Sequence, residues 1–432
     1  MSRRDPRDPL VVAAIRTPTG KGRPARNGKP GGALSGVHPV DLTAFVLRAA
    51  LQRLGYDLAG TAPDVLEGAL DDVLVGCVGQ AGEQSFNLAR NAVLAAGLPE
   101  SVPAATIDRQ CGSSQQALAF AAQAIRAGEG DLVVAAGVES MARVPMGSAA
   151  AGADPFGPAF ARRYPEGAVP QGIAAERIAA AWDLTREALD AWAVHSHRRA
   201  AEAFASGALE GELAPVPLPD PLADAATGPA TDPATDPTTV HERDEGVRPG
   251  TDAAGLAQLP PAFHDPAWEA TFPEIRWRVH AGNASQLADG AAATVVASRA
   301  RTEAEGWTPL ARIAAQAVVG SDPRMALTGV IPATRKVLDR AGMSLNDVDL
   351  FEVNEAFAPV VLAWLAETGA DPERVNVHGG AIANGHPLGA SGGKLTATLA
   401  HAMRRRDVEV GLQVMCEGGG MANATVFVRE AR

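Results

Sequence analysis

An α/β fold with a mostly parallel sheet is predicted by three observations. Short apolar runs alternate with helical stretches, the rhythm breaks between about 149 and 280, and it then returns in the same order. The 432 residues allow a large core and two or three domains of ordinary size, and abundant Gly and Ala with few aromatics suit close helix–sheet packing. The net charge of −12 argues against nucleic acid or an anionic membrane as the main partner, since both select basic surfaces. An anionic small molecule remains compatible wherever basic residues cluster.

Taken in order, 10–15 is a buried strand ending at Arg16-Thr17-Pro18. A basic, glycine-rich loop with Lys21, Arg23, Arg26 and Lys29 follows, then an amphipathic helix over about 39–54. A second strand, 72–78, carries Cys77 as core packing; 87–96 is helical and 131–138 is another buried strand. Between 149 and 280 Gly, Pro, Asp and Thr increase around one helical hairpin, 174–206. Within it, 220–239 is low-complexity, with Thr-Asp-Pro at 231–233 and again at 235–237, and reads as a surface insertion. A region of this kind on a rigid scaffold is expected to carry binding and specificity.

The second half repeats the first. Residues 71–76 resemble 346–351, an offset of 346 − 71 = 275, which carries Cys111 onto His386. Likewise 131–139 parallels 407–415, just before Cys416. Two equivalent βαβ-type halves, each presenting a reactive residue at a helix start, are expected. The partition is 8–148 with 281–303 for the first half, 149–280 for the loop region, and 304–432 for the second half.

The three cysteines, Cys77, Cys111 and Cys416, match neither a disulfide framework nor a zinc site, so reduced thiols and no metal are expected. The charged start has no apolar core before the first strand, and no apolar run approaches the ~18 residues a spanning helix needs, so a soluble cytoplasmic protein is expected. Cys111 precedes a helix that Ser113 or Ser114 can cap, that buries Leu118, Phe120 and Ile125, and that ends at Gly128. Unpaired N–H groups at a helix start favour thiolate. Acyl transfer through sulfur needs a thiolate, a base, oxyanion donors and a second proton carrier. Cys111, His386, the glycines of Cys416-Glu417-Gly418-Gly419-Gly420, and Cys416 itself supply a candidate for each, and Asn354 could orient a water or a carbonyl. Each residue taken singly has an ordinary structural use; their joint placement in sheet-end turns points to this chemistry. The run 389–394 is one residue short of a Walker loop and has Leu395 where Ser or Thr should bind magnesium, which excludes nucleotide hydrolysis.

The segments 108–117, 137–141, 354–358, 379–392 and 416–420 together resemble the thiolase family, in order and across nearly the whole chain. The resemblance implies a five-layered αβαβα fold from two similar halves, a loop domain that holds coenzyme A, and homodimers or homotetramers. It implies that Cys111 takes the acyl group, that His386 activates it, and that Cys416 exchanges the proton on the acetyl-CoA carbon. Two oxyanion holes would fall to His386 with an Asn354-held water, and to the N–H groups of Cys111 and Gly418. Arg248 and Ser285 match the segments that contact coenzyme A, a co-substrate here rather than a resident cofactor. Pro170-Gln171 stand where acetoacetyl-CoA thiolases carry His-Met, and 113–116 is closer to thiolases of fatty-acid or steroid side-chain degradation. His280 replaces a usual Thr, about ten extra residues lie around 268–276, and the insertion at 21–29 has no counterpart in the short family form. The implied activity is cleavage of 3-oxoacyl-CoA by coenzyme A. The alternatives are an acetoacetyl-CoA-forming acetyltransferase, a decarboxylating condensing enzyme, and a non-catalytic acyl-CoA carrier.

Overall fold

The computed structural model describes residues 5–56, 58, 66–218 and 239–430; the 220–239 insertion expected from sequence lies, but for its last residue, outside them. The first half supplies strands β1 (Pro9–Arg16), β2 (Asp72–Gly76), β3 (Ala104–Ile107), β4 (Leu132–Ser140) and β5 (Ala288–Ser298). Its helices are α1 (Pro39–Gln52), α2 (Leu88–Ala95) and α3 (Ser113–Ala127). Helices α4 (Gln171–Ala181) and α5 (Arg186–Ala205) form the hairpin of the loop region. The second half supplies β6 (Ala311–Gly320), β7 (Leu350–Val353), β8 (Val410–Glu417) and β9 (Met421–Val428), with α6 (Val330–Ala341), α7 (Ala358–Thr368) and α8 (Ser391–Arg405).

Strand order is β7-β8-β9-β6-β1-β5-β4-β2-β3, and the halves join where Leu10 and Val11 of β1 pair with Arg312 and Ala311 of β6. The sheet is mixed rather than mostly parallel: β2 runs parallel to β3 and β4, and β7 to β8, while the other pairs are antiparallel. In the second half this follows from a tight turn. Gly419 and Gly420, both with φ near +80°, fold β8 directly back onto β9, where a parallel neighbour would need a long crossover.

Alternation along the strands sorts the apolar residues into three layers between sheets and helices. Val73, Val75 and Val134 face Leu42, Leu47, Leu88 and Val93 of α1 and α2. Leu74, Val133 and Ala135 face the opposite way, onto Leu118 and Ile125 of α3 and Leu399 and Met403 of α8. Phe351, Leu412 and Val414 pack on α6 and α7 through Val330, Val337, Val361 and Trp364. Helices α3 and α8 are therefore the central layer of a five-layered αβαβα arrangement. Their small residues have a steric reason: a Cβ on Gly392 would lie 2.4 Å from the Gln115 nitrogen, and Gly393 N–H donates to Ser114 Oγ at 2.8 Å. Phe120, expected inside, is 41% exposed, whereas Leu118 and Ile125 are buried.

The internal repeat holds, but its register differs from the expected one. Helix α3 and helix α8 coincide under an offset of 391 − 113 = 278, and β4 and β8 begin at Leu132 and Val410, again 278 apart. Asp71 and Asp349 confirm it, each accepting two backbone N–H groups at the start of those strands. The equivalent of Cys111 is thus Gly389, and His386 lies three residues before it. The expected offset of 275 laid β2 itself over 347–351, which spans the end of the helical turn 345–347 and only the first two residues of β7.

Candidate active site

Cys111 stands at the elbow between β3 and α3. Gln110 before it has φ +48°, a left-handed conformation uncommon outside glycine, and Asp108 Oδ1 accepts its N–H at 2.7 Å. Neither serine caps α3. Ser113 is its first residue, and its hydroxyl bridges Gln110 O (2.5 Å) and Arg109 N (2.9 Å), closing the elbow instead. Gly112 is required by close approach, since a Cβ there would fall 1.8 Å from Glu417 Oε1.

The thiol is buried with Leu395 and Met415. Burial pushes it well above the ordinary cysteine value, with Cys416 and Glu417 adding to the rise, while the N–H groups of Gly418 and of Cys111 itself oppose it. The helix start therefore does not hold a thiolate in the free protein; desolvation outweighs it. Cys416, near the end of β8, is pushed up to about 12 by burial, against an Asn354 amide that donates to its sulfur at 3.7 Å. Asn354 Oδ1 has no hydrogen-bond partner among the described residues.

His386 is fixed through both backbone and ring. Its N–H donates to Gln286 O at 2.9 Å, and Nδ1 lies 2.6 Å from Ser391 Oγ, which donates to Pro387 O at 2.9 Å. A carbonyl only accepts, so the hydroxyl proton points to Pro387 and Nδ1–H donates to Ser391. Nε2 then carries the bare lone pair, with no partner among the described residues. Burial, and secondarily Lys394, push the imidazole down to about 3, so it is neutral. Lys394 is itself buried, bonded to Asn384 Oδ1 (2.5 Å) and Gly385 O (2.6 Å), and held down to about 8 by burial first and Arg16 next. A neutral base with an oriented lone pair and two neutral thiols suit proton transfer that starts only when a substrate arrives.

Sequence reasoning missed Ser391, Lys394 and a pair of glutamates. Glu139 and Glu417 are 278 apart and occupy equivalent strand ends. Glu139 accepts from Val78, Gly79 and Gly389 N–H and from Gln84 Nε2 at 2.9–3.0 Å. Among the described residues Glu417 has no hydrogen-bond partner for either carboxylate oxygen, and burial pushes it up to about 8. Their shared place after an apolar strand was a legible signal.

Gly418 and Gln110 open onto a cavity of about 680 Å³ walled by Phe156, Phe160, Tyr164 and Val169 and by Pro170 and Gln171. The three aromatics follow at helical spacing with successive ring centroids 4.8 and 4.9 Å apart. Ser285 is half-buried, and its N–H donates to Ala356 O. Arg248 is exposed, with its guanidinium 3.5 Å from Gln286 Oε1. Both thus gather on the segment that seats His386. His280 is structural: Gly282 N–H donates to its Nδ1, and Nε2 donates to Asp190 at 2.6 Å, tying this segment to α5. Cys77, Cys111 and Cys416 are all free thiols, and among the described residues no cluster of three His, Cys, Asp or Glu could hold a metal.

Two similar halves in five layers, with thiols and a histidine in glycine-rich turns at their meeting point, define the thiolase class. The chain belongs to the thiolase family: the thiolase N-terminal domain model matches 10–300 and the C-terminal domain model 307–429. Among its relatives are the steroid 3-ketoacyl-CoA thiolase FadA6 of Mycobacterium tuberculosis, 41% identical over 97% of this chain and 93% of that one. The 3-ketoacyl-CoA thiolase of Cronobacter sakazakii is 41% identical (97% and 99% covered), and that of Bacillus subtilis 39% (98% and 99%). Among the described residues no helix is long and apolar enough to cross a membrane.

Proposed function

We propose that the protein is an acetyl-CoA C-acyltransferase that cleaves 3-oxoacyl-CoA with coenzyme A, with a preference for bulky apolar acyl groups. The cavity of about 680 Å³ beside Gly418 carries this reading, because acetoacetyl-CoA would leave most of it unfilled. His386 Nε2 takes the Cys111 proton as sulfur attacks the 3-keto carbon, whose oxygen gains charge and is met by N–H donors. The C2–C3 bond then breaks, its electron pair goes to C2, and Cys416 gives that carbon a proton, releasing acetyl-CoA. The acyl group stays on Cys111. Cys416 thiolate next takes the proton of the incoming coenzyme A thiol, whose sulfur attacks the thioester and frees the Cys111 thiolate, which recovers its proton from His386 Nε2. Asn354 steadies Cys416 and Ser391 sets the His386 tautomer.

The loop region 149–280 holds coenzyme A in this account, with Arg248 and Ser285 beside it. The protein works as a cytoplasmic homodimer or homotetramer. Support for assembly is local: β3 is a sheet edge, and Phe86, 93% exposed, sits next to Asn87, which bonds Ala104 and Thr106 of that edge. Thiolysis of acetoacetyl-CoA and of a bulky 3-oxoacyl-CoA, measured side by side, tests the substrate class. A higher kcat/KM for the bulky substrate is expected, and activity confined to acetoacetyl-CoA would refute it.

A further inference from the structure

The insertion at 21–29 is absorbed by nothing above, yet it is built with care. Arg26 and Lys29 exchange backbone hydrogen bonds at 3.1 and 3.0 Å across Asn27 and Gly28, whose φ values of +53° and +72° form a two-residue hairpin tip. Arg23 closes its base by donating to Pro30 O at 3.1 Å. Glu245 fastens the whole loop, accepting Lys21 N–H and Ala33 N–H at 2.8 Å each, and it pairs with Lys21. Arg23, Arg26 and Lys29 form no ion pair among the described residues, although the chain is strongly acidic. A rigid loop that holds three unpaired cations together keeps their mutual repulsion in place, which is unfavourable unless an anion relieves it.

These three side chains roof a groove of about 450 Å³ whose floor is apolar, with Met141, Met146 and Leu287. Leu287 is 54% exposed, and it fixes where the groove leads. Its backbone pairs with His386 on one side and its carbonyl accepts Gly22 N–H at 2.9 Å on the other. Gln286 and Ser285 continue from it toward Arg248 and Ala356. A ligand with its reactive end at His386 and an apolar arm along Leu287 would carry its far end under the cations.

We propose that the Lys21–Lys29 hairpin is an added phosphate clamp that takes the phosphorylated nucleotide end of coenzyme A. The assignment rests on the thiolase reading for its ligand and on the hairpin's geometry for its site. Coenzyme A joins an apolar-to-polar arm, a pyrophosphate and a 3′-phosphate, matching groove floor and roof in order. Free inorganic phosphate shares only the anionic chemistry.

The test is calorimetric binding to the full-length protein of coenzyme A, dephospho-coenzyme A, pantetheine and inorganic phosphate, at low and physiological salt. The R23A/R26A/K29A variant changes exposed side chains and is compared with wild type. Expected is a loss of about tenfold or more in coenzyme A affinity and a shallower salt dependence, with the loss confined to ligands that carry phosphates. Equal coenzyme A affinity in variant and wild type, or an equal loss for pantetheine, overturns the clamp. Millimolar inorganic phosphate competing with coenzyme A only in wild type supports an anion site there. Tight phosphate binding with no preference of wild type for coenzyme A over pantetheine overturns the nucleotide assignment. Binding as expected without thiolysis of any 3-oxoacyl-CoA would keep the clamp and refute the proposed reaction instead.

Discussion

Ser391 Oγ lies at His386 Nδ1, and the buried Glu417 lies beside Cys111 and Cys416. Ser391→Ala leaves His386 Nδ1–H without its acceptor, so the tautomer with a bare Nε2 loses its support. Loss of one such buried hydrogen bond, about 1–3 kcal/mol, predicts a fall in kcat of roughly 5- to 150-fold with little change in KM, read by steady-state kinetics. Glu417 is protonated up to about 8 in the folded protein, against an ordinary 4.5. Between those values the native state binds a proton that the unfolded chain has released, so stability falls as pH rises through the window. Glu417→Gln should narrow the gap in melting temperature between pH 5 and pH 8, and an unchanged gap would exclude Glu417 as its source. Cys111, His386 and Cys416 stood out in the sequence because each lies in a turn with glycine close by, and Asn354 because it ends the apolar run 350–353. Ser391 did not, because its acceptor role depends on the turn that brings Oγ to Nδ1.

At the scale of elements, the crossing of α3 and α8 and the row Phe156, Phe160 and Tyr164 are the sensitive places. A methyl group at Gly392 would meet backbone at 2.4 Å, which a side-chain rotation cannot relieve. Gly392→Ala should cost about 1–3 kcal/mol or more of stability, measured by denaturant unfolding. Phe160 lies between Phe156 and Tyr164 on one wall of the large cavity. Phe160→Ala should lower kcat/KM for a bulky 3-oxoacyl-CoA by about tenfold while sparing acetoacetyl-CoA, since burial of an apolar surface of that size is worth about 1.5–3 kcal/mol. Strand and helix positions were legible from apolar runs and glycine stops, as with Gly128 ending α3. The direction of strands was not, because a run of Val and Ala reads the same both ways. The repeat's register was missed for a related reason: the apolar pattern near 348 slides by three, and the matching helices and the paired roles of Asp71 and Asp349 pin it.

At the scale of the whole molecule, the turn at Cys111 and Gly112 lies against Glu417 at the end of β8, so the proposed site needs both parts of the chain folded. The proposed assembly extends the same logic beyond one chain. Phe86→Glu should shift the mass seen by light scattering toward the monomer, and an unchanged mass would remove Phe86 from the contact. The central claim is that Cys111 carries the acyl group. Its most direct test is intact-mass spectrometry after mixing the protein with a bulky 3-oxoacyl-CoA in the absence of free coenzyme A. Expected is an adduct on Cys111 equal to the acyl group shortened by two carbons, discharged when coenzyme A is added and missing in a folded Cys111→Ala variant. Thiolysis that persists in Cys111→Ala, or turnover with the adduct on another residue, would contradict it.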